Sequence, residues 1–324
     1  MSTQKALFLE KKFGDFVLGE APRYNPGPGE VLVKILATAL NPLEWLVQKY
    51  SLLVENYPAI LGSDIAGEVD AVGEGVTDFQ KGDRVFGQGH FLIDGRKAGF
   101  QQYALFPVST TVKIPPNISF DEAAALPVAV IRSFVAFYIP PPFGLGLTLP
   151  TTPQGAAKYT GTPIAVIGGA TSVGQAGATY VFDRDLSAES LKSEVDRVTT
   201  SQPLTILFDA VSNEESQKAG LGLLAPGGRL VTVLPLAINL KADDNKSVVS
   251  VTTGAASAVP ANGKILADFW HNHIARLLES GDIKPNRVEV LPNGLAGIPE
   301  GLRRLETNQV SGVKLVVHPH ETGA

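Results

Sequence analysis

The chain has no cysteine, one methionine and two tryptophans among its 324 residues. The absence of cysteine excludes disulfide bonds, thiolate nucleophiles and any zinc site built on cysteine ligands. Positive charge is also scarce: the chain has 27 lysines and arginines against 32 aspartates and glutamates, and it contains no basic block. Because nucleic-acid binding needs clustered positive charge, we expect no nucleic-acid partner.

Long uninterrupted apolar runs are missing as well. The longest, Ala123–Ile139, contains Pro127 and Arg132 and is followed by three prolines, whereas a membrane helix needs about 20 apolar residues. This run predicts a buried helix and no membrane association. No arginine-rich or charged-then-apolar leader precedes Ala6, so we expect a cytoplasmic protein.

The first part of the chain is rich in glycine, proline and short β-type runs. Candidate strands are Val31–Ala37, Glu68–Val72 and Arg84–Phe86. Many short strands joined by turns predict a β-barrel-like domain. Two later strand candidates, Arg287–Leu291 and Val313–Val317, are expected to return to this domain.

From about Ser119 onward, apolar strands alternate with helical segments. The strand candidates are Ile164–Ile167, Tyr180–Phe182, Leu204–Phe208 and Leu230–Val233. Such alternation is typical of a doubly wound parallel sheet. The sequence therefore predicts an α/β chain with a barrel-like part and a parallel-sheet part.

A turn of small residues follows Ile164–Ile167, and it contains Gly168, Gly169, Ser172, Val173 and Gly174. Small residues let the backbone approach a pyrophosphate, and the amides of a following helix would bind it. The turn therefore predicts a dinucleotide site, with a plain tight turn as the alternative. Only the twelve residues 168–179 separate this strand from the next candidate, whereas a complete dinucleotide-binding unit occupies about 30.

Other candidate residues have two interpretations each. Phe208-Asp209-Ala210 and Leu234-Pro235 end strands, where ligands of open α/β sheets bind, but ordinary strand-to-loop transitions look the same. Arg132 could attract a phosphate or an acidic substrate, or pair with a carboxylate. The histidines form no set with metal-ligand spacing: they are His90, His271, His273, His318 and His320.

Several motifs together resemble one family. They are Asn41-Pro-Leu-Glu-Trp45, Gly62-Ser-Asp-Ile-Ala-Gly-Glu-Val69, Gly82-Asp-Arg-Val-Phe-Gly87, the glycine-rich turn, Ala225-Pro-Gly-Gly228, Gly281-Asp-Ile-Lys-Pro285 and Val310-Ser-Gly-Val-Lys314. In this order they resemble the zinc-independent branch of the medium-chain dehydrogenase/reductase superfamily, with its quinone oxidoreductase-like and fungal trans-acting enoyl reductase-like proteins. The likeness covers nearly the whole chain.

The resemblance implies a GroES-like catalytic domain, residues 1–125 and 270–324, and an inserted Rossmann domain, residues 126–269. NADPH would lie in the cleft between them. Asn41 and Pro42 would line its nicotinamide end, with Leu234 and Pro235 nearby, and Ser311 to Lys314 would close over it. Gly168, Gly169, Ser172, Val173 and Gly174 would hold the pyrophosphate. Tyr57 and Arg132 are candidate substrate contacts, and no side chain is assigned as the catalytic acid, for which Tyr50 and Tyr57 are weak candidates.

Two departures from the family matter. Zinc-dependent relatives carry Gly-His-Glu where this chain has Gly62-Ser63-Asp64, and a cysteine near the position of Asn41, so we expect no catalytic zinc. Relatives also carry roughly 25–30 further residues between the positions of Gln175 and Gly177, close to the length of a whole dinucleotide-binding unit. The resemblance implies that they form the helix behind the pyrophosphate, the next strand and the loop that reads the adenosine ribose or its 2′-phosphate. We therefore expect a Rossmann domain shortened after Gln175.

Two functions remain open at this point. The first is NADPH-dependent, zinc-independent transfer of hydride to an activated C=C bond or a quinone. The substrate would be a small molecule of secondary metabolism, and hydrogen-bond donors would stabilise the enolate that forms. The second is a truncated, non-catalytic paralogue or splice product that acts as an interaction module. A homodimer through Leu230–Leu234 or Ser247–Thr252 is a further expectation.

Overall fold

The computed structural model describes residues 2–169, 171, 179–183, 185–200, 202–239 and 245–323. Two compact units divide the chain, Met1–Ala129 with Ala267–Ala324, and Val130–Leu266. We refer to them as unit 1 and unit 2. Within the described ranges, no helix combines the length and the apolar character needed to cross a bilayer.

Short strands dominate the first third of the chain, and helices alternate with strands after it. The strands are β1 (Thr3–Leu9), β2 (Phe16–Pro22), β3 (Glu30–Ala39), β4 (Ala59–Ile60), β5 (Asp64–Val72), β6 (Arg84–Gln88), β7 (Tyr103–Pro107), β8 (Thr111–Lys113), β9 (Ile164–Ile167), β10 (Ile206–Asp209), β11 (Arg229–Thr232), β12 (Ser247–Ser250), β13 (Val288–Val290) and β14 (Lys314–Val317). The α-helices are α1 (Pro42–Tyr50), α2 (Phe120–Ala124), α3 (Pro127–Tyr138), α4 (Ala188–Val198), α5 (Glu214–Leu223), α6 (Thr253–Ala258), α7 (Pro260–Asn272), α8 (Ile274–Glu279) and α9 (Ile298–Glu306).

Unit 1 is built around β3, which pairs antiparallel with β5, β7 and β14. The sheet continues from β5 to β6 and β8 and from β14 to β13. The register of β3 on β5 shifts twice, between Leu32 and Val33 and between Ile35 and Ala37. Such irregularities increase the local twist and bend a sheet toward a barrel. The barrel predicted from the short N-terminal strands is confirmed.

Close approach of backbones at one glycine accompanies this bend. Gly67 of β5 faces Ile35 of β3, and a Cβ at Gly67 would overlap the carbonyl oxygen of Lys34. Only a residue without a side chain permits two strands to lie so close. Branched and aromatic side chains fill the interior, among them Val33, Ile65 and Phe106.

The chain returns to unit 1 near its end. Val316 and Val317 of β14 pair with Ala39 and Thr38 of β3, so the expected return of Val313–Val317 is confirmed. Beyond β14, the ring of His318 lies between two carboxylates, with Nε2 2.8 Å from Asp121 Oδ1 and Nδ1 2.9 Å from Glu321 Oε1. The pairing of β14 with β3 thus adds a carboxyl-terminal strand to a sheet that begins within the first forty residues.

Unit 2 contains a parallel sheet in the order β12-β11-β10-β9. The predicted parallel α/β sheet is confirmed. The registers align the carboxyl ends, because Ile167 pairs with Asp209, Asp209 with Thr232 and Thr232 with Ser250. Apolar residues of α4 and α5 pack on one face, and Phe137 of α3 contacts Phe208 of β10 with ring centroids 5.4 Å apart.

Strand β9 pairs only with β10 among the described residues, and its side chains Ile164 and Val166 are 42% and 40% exposed. The predicted strand Tyr180–Phe182 is wrong, since these residues form neither strand nor helix. Val181 is 86% exposed. The reason is the length of the connection: the twelve residues 168–179 are close to the minimum of about 10–12 that a parallel crossover requires. The expected shortening after Gln175 falls outside the described residues.

Candidate functional site

Five polar residues form a buried cluster in unit 1, and we call it the Lys314 network. The exposed fractions are 0% for Glu44 and Asp64, 3% for Ser63 and 4% for Asn41 and Lys314. Asn41 precedes α1 and Glu44 lies in its first turn. Ser63 and Asp64 stand where β5 begins, and Lys314 is the first residue of β14. Charged groups are almost never this buried unless they are paired.

Lys314 holds the network together. Its ammonium Nζ donates to Asn41 Oδ1 at 2.6 Å and lies 2.9 Å from Asp64 Oδ2. Asn41 Nδ2 donates to the same Oδ2 at 3.0 Å, and the backbone N–H of Val128 donates to Asp64 Oδ1 at 2.7 Å. These bonds fix the orientation of the Asn41 amide, because its oxygen faces the ammonium and its nitrogen faces the carboxylate.

Glu44 lies on the other side of Asn41. Its Oε2 accepts the backbone N–H of Asn41 at 2.6 Å, and its Oε1 accepts the hydroxyl of Ser63 at 3.0 Å. Burial, against the opposing charge of the Lys314 ammonium and with a smaller contribution from the charge of Asp64, raises the pKa of Glu44 to about 7. The carboxyl of Glu44 therefore changes its protonation state near neutral pH.

The raised pKa of Glu44 predicts a pH-dependent stability. Between pH 4.5 and about 7 the folded state binds a proton that the unfolded state has lost, so stability falls as the pH rises through this window. The variant Glu44→Gln lacks this titration. The wild type should therefore lose about 3 kcal/mol of its free energy of unfolding between pH 5 and pH 8 that Glu44→Gln does not lose. Urea denaturation of both proteins at both pH values measures this loss. An equal change in the free energy of unfolding of the two proteins would contradict the prediction.

The glycine-rich turn of unit 2 follows β9 directly. Gly168 has a φ of +83°, and the N–H of Thr171 donates to its carbonyl at 2.8 Å. A Cβ at Gly168 would lie 2.8 Å from Val211 Cγ2, whereas a Cβ at Gly169 would meet none of the described residues within 4 Å. A tight turn is thus present, and none of the described residues fills the space at its second glycine. The predicted pyrophosphate contacts Ser172, Val173 and Gly174 lie outside the described residues.

Leu234 and Pro235 follow β11 at the same carboxyl edge of the unit 2 sheet. The side chain of Leu234 is 42% exposed, and the carbonyl of Pro235 accepts Gln217 Nε2 at 3.1 Å. Arg132 donates from Nη1 to the carbonyl of Val233 at 2.9 Å. The parallel register aligns these residues with Gly168 along one edge, which is where open α/β sheets bind ligands.

Asp209, at the end of β10, has a local structural role. Its Oδ1 accepts the backbone N–H groups of Val211 and Ser212 at 2.9 and 2.8 Å, and its Oδ2 accepts the Ser216 hydroxyl at 2.6 Å. Both oxygens thereby hold the loop that leads into α5. These contacts favour the strand-to-loop interpretation of Phe208-Asp209-Ala210.

The other predicted contacts of unit 1 are less connected. Pro42 is the first residue of α1 and therefore adjoins the network, whereas Ser311 is exposed in the loop before β14. The hydroxyl of Tyr57 donates to the carbonyl of Val54 at 3.2 Å and lies 3.1 Å from Ser51 Oγ. Tyr57 therefore supports the loop after α1.

The structure brings Asn41 and Lys314 together from positions far apart in the chain. Sequence reasoning missed three members of the network, Glu44, Ser63 and Asp64. All three lie inside the motifs 41–45 and 62–69, so a signal was available. The carboxylate of Glu44 three residues after Asn41 is the sign of a capping box, and a carboxylate at the start of a mostly apolar strand marks a residue that needs a buried partner.

Comparison with known proteins places these features in a family. Residues 27–116 match the alcohol dehydrogenase GroES-like domain. The trans-enoyl reductase ACTTS2 of Alternaria alternata is 30% identical over 353 positions, with 98% of this chain and 99% of the relative covered. The dehydrogenase orsE of Emericella nidulans is 29% identical over 364 positions, with the same coverage.

Solved structures agree with the fold. A crystal structure from Rhizobium etli, described as a putative zinc-dependent alcohol dehydrogenase, superposes with a TM-score of 0.79 at 22% identity and covers 98% of both chains. A quinone oxidoreductase from Pseudomonas syringae gives a TM-score of 0.72 at 20% identity, covering 97% of this chain and 99% of the other. The GroES-like domain, the parallel sheet and the end-to-end match to a trans-enoyl reductase together show that the chain belongs to the medium-chain dehydrogenase/reductase superfamily of oxidoreductases.

Proposed function

We propose that the protein is an NADPH-dependent, zinc-independent reductase of activated C=C bonds or quinones in small molecules. The Lys314 network carries this proposal. It joins two residues that the family resemblance assigns to the nicotinamide end, Asn41 and Lys314, and it fixes their donors in a buried setting. Preorganised donors of this kind stabilise the negative charge that develops when hydride is added to an enone or quinone.

Zinc independence is supported by the chemistry of the same network. The ammonium of Lys314 already lies 2.6 Å from Asn41 Oδ1 and 2.9 Å from Asp64 Oδ2. These two oxygens stand at positions close to those that supply metal ligands in zinc-dependent relatives. A divalent cation there would be repelled by the ammonium across a short distance in a buried site. The positive charge of Lys314 thus occupies the electrostatic role that a metal would have.

The cofactor fits the residues of unit 2 that the structure describes. Gly168 makes the tight turn after β9, and none of the described residues would block a pyrophosphate that approaches the backbone at Gly169. When bound, NADPH supplies the hydride. Leu234 and Pro235 would pack beside the nicotinamide and exclude water, and the Asn41 amide would be held in place by Lys314. The preference for NADPH over NADH, a homodimer and a cytoplasmic location stay predictions from the sequence.

A second candidate function is a non-catalytic interaction module, and two observations favour it. Within the described residues, strand β9 pairs on one side only, and its side chains Ile164 and Val166 are exposed. The alignment with the trans-enoyl reductase extends over 353 positions, so at least 29 of them have no counterpart in this chain of 324 residues. If these positions follow the glycine-rich turn, part of the cofactor site is lost.

Cofactor affinity separates the two functions. We expect NADPH to bind with micromolar affinity and to raise the melting temperature, since a ligand at 100 times its Kd stabilises by about 2.7 kcal/mol. Gly169→Ala should weaken binding about tenfold, or about 1.4 kcal/mol, by placing a methyl group in the pyrophosphate space. Gly222→Ala, where a Cβ also meets nothing within 4 Å, is the matched control and should leave the affinity unchanged.

Fluorescence titration and thermal unfolding measure both effects. Absence of NADPH binding by a cooperatively unfolding protein would contradict the reductase and favour the interaction module. Binding that is equally strong in Gly169→Ala would show that NADPH does not use the glycine-rich turn. Turnover with enones and quinones then tests the reaction itself.

A further inference from the structure

Glu44 is a fully buried carboxyl group for which the proposed hydride transfer has no task. The groups that face it come from three elements. They are the backbone N–H of Asn41 at the start of α1, the hydroxyl of Ser63 just before β5 and the carboxylate of Asp64 on β5, and the ammonium of Lys314 on β14. The bond to the Asn41 N–H is the capping-box contact of α1, which uses one carboxyl oxygen and leaves the other free for a second role. Burying a carboxyl carries a free-energy cost, and Asn41 is the residue proposed to line the nicotinamide.

The two oxygens of Glu44 are not equivalent. Oε2 accepts the Asn41 N–H at 2.6 Å, and a backbone N–H can only donate, so a proton on Oε2 would face another hydrogen. Oε1 lies 3.0 Å from Ser63 Oγ, and a hydroxyl both donates and accepts. The proton of a neutral Glu44 therefore resides on Oε1 and points at Ser63.

We propose that Glu44 stores the proton consumed in the reduction of an activated C=C bond and delivers it through the Ser63 hydroxyl, an inference that rests on the proposed function. Reduction of the alkene takes one hydride and one proton. Hydride addition to the β-carbon breaks the C=C π bond and leaves an enolate. The α-carbon then forms a bond to the Ser63 hydroxyl hydrogen, and Ser63 Oγ takes the proton of Glu44 Oε1. Glu44 is left as a carboxylate and regains a proton from water.

The surrounding charges suit this role. Lys314 compensates the carboxylate that remains after proton transfer, while Asp64 and burial favour the neutral form beforehand. Both forms of Glu44 are thus populated near neutral pH, which is where a general acid is most effective. Glu44 acts through Ser63, so it positions and supplies the proton while the serine contacts the substrate.

The first test is spectroscopic and requires neither cofactor nor substrate. Infrared spectra of the wild type at pH 5 should show the carbonyl band of a buried protonated carboxyl, and this band should vanish at pH 8. The band should be missing in Glu44→Gln. It should persist in Glu68→Gln, a control that removes a partly exposed carboxyl from β5, the strand that begins directly after Ser63.

The second test compares two substrate classes. Glu44→Gln and Ser63→Ala should lower kcat for an enone by about 100-fold, the lower range for loss of a general acid. Reduction of a quinone should fall far less than reduction of the enone, because the quinone oxygens take protons directly from water. NADPH affinity should be unchanged in both variants, and the decline of enone turnover with rising pH should disappear in Glu44→Gln.

The inference is overturned if Glu44→Gln and Glu68→Gln reduce enones equally well, or if the wild type shows no carboxyl band. Equal losses with enone and quinone would assign a structural role to Glu44 and also contradict the inference. Failure of the proposed function is distinguishable, because a wild type that binds no NADPH gives no turnover with either substrate. In that case the infrared band alone would still report the titration of Glu44, and the proton-delivery role would be rejected.

Discussion

Lys314→Met should lower the free energy of unfolding by about 3–5 kcal/mol, the cost of leaving a buried charge without its partner. Asp64 is 0% exposed, and its Oδ2 would retain only the neutral amide of Asn41 as a donor. Methionine fills nearly the same volume as lysine, so packing changes contribute little. Urea denaturation at neutral pH measures the loss.

The matched control is Lys113→Met. Lys113 pairs with Asp83 at 2.9 Å, but its side chain is 55% exposed, and such surface pairs contribute about 0–1 kcal/mol. The double variant Asp64→Asn/Lys314→Met should be more stable than Lys314→Met alone, because the uncompensated carboxylate is then absent. If Lys314→Met cost no more than Lys113→Met, the Lys314 network would not stabilise unit 1 as its burial implies.

Gly67→Ala should destabilise the protein by roughly 4 kcal/mol, among the largest losses seen for single substitutions. The added Cβ would overlap the carbonyl oxygen of Lys34 on the paired strand. Backbone cannot rotate away as a flexible side chain does, so β5 must separate from β3. Asp64 begins the same strand, and its distance to Lys314 should increase as well.

Gly95→Ala serves as the control for this substitution. Gly95 also lies in unit 1, and a Cβ there would meet nothing within 4 Å, so its effect should stay within about 0.5 kcal/mol. Thermal and urea unfolding of the two variants provide the comparison. A loss below 1 kcal/mol in Gly67→Ala, roughly the range of a surface substitution, would show that the two strands can separate at little cost.

Local patterns were sufficient to predict elements that are determined by nearby residues. The apolar run Ile164–Ile167 forms β9, and Val313–Val317 contains β14, because β-branched residues between turn formers favour strands wherever they pair. Sequence reasoning also selected Asn41 and Lys314 through the family resemblance. It could not predict that Lys314 Nζ lies 2.6 Å from Asn41 Oδ1. No local pattern shows which segments become neighbours when they are some 270 residues apart in the chain.

The errors have a physical pattern too. Tyr180–Phe182 has the composition of a strand but follows a connection with barely enough residues for a crossover, so composition was overridden by connectivity. Glu44 and Asp64 escaped notice because carboxylates are expected on surfaces. Asp64 is buried because it pairs with the distant Lys314, and Glu44 because its oxygens accept the Asn41 N–H and the Ser63 hydroxyl.

The return of β14 to the sheet of β3 has a consequence for the synthesis of this protein. Asp64 leaves the ribosome long before Lys314, and at 5–20 residues per second the interval is roughly 10–50 s. Throughout that time the amino-terminal sheet lacks the strand that brings its counter-ion. A nascent chain is therefore expected to depend on chaperones until its final residues emerge, and a premature stop codon just before Lys314 would be far more damaging than its position near the end suggests.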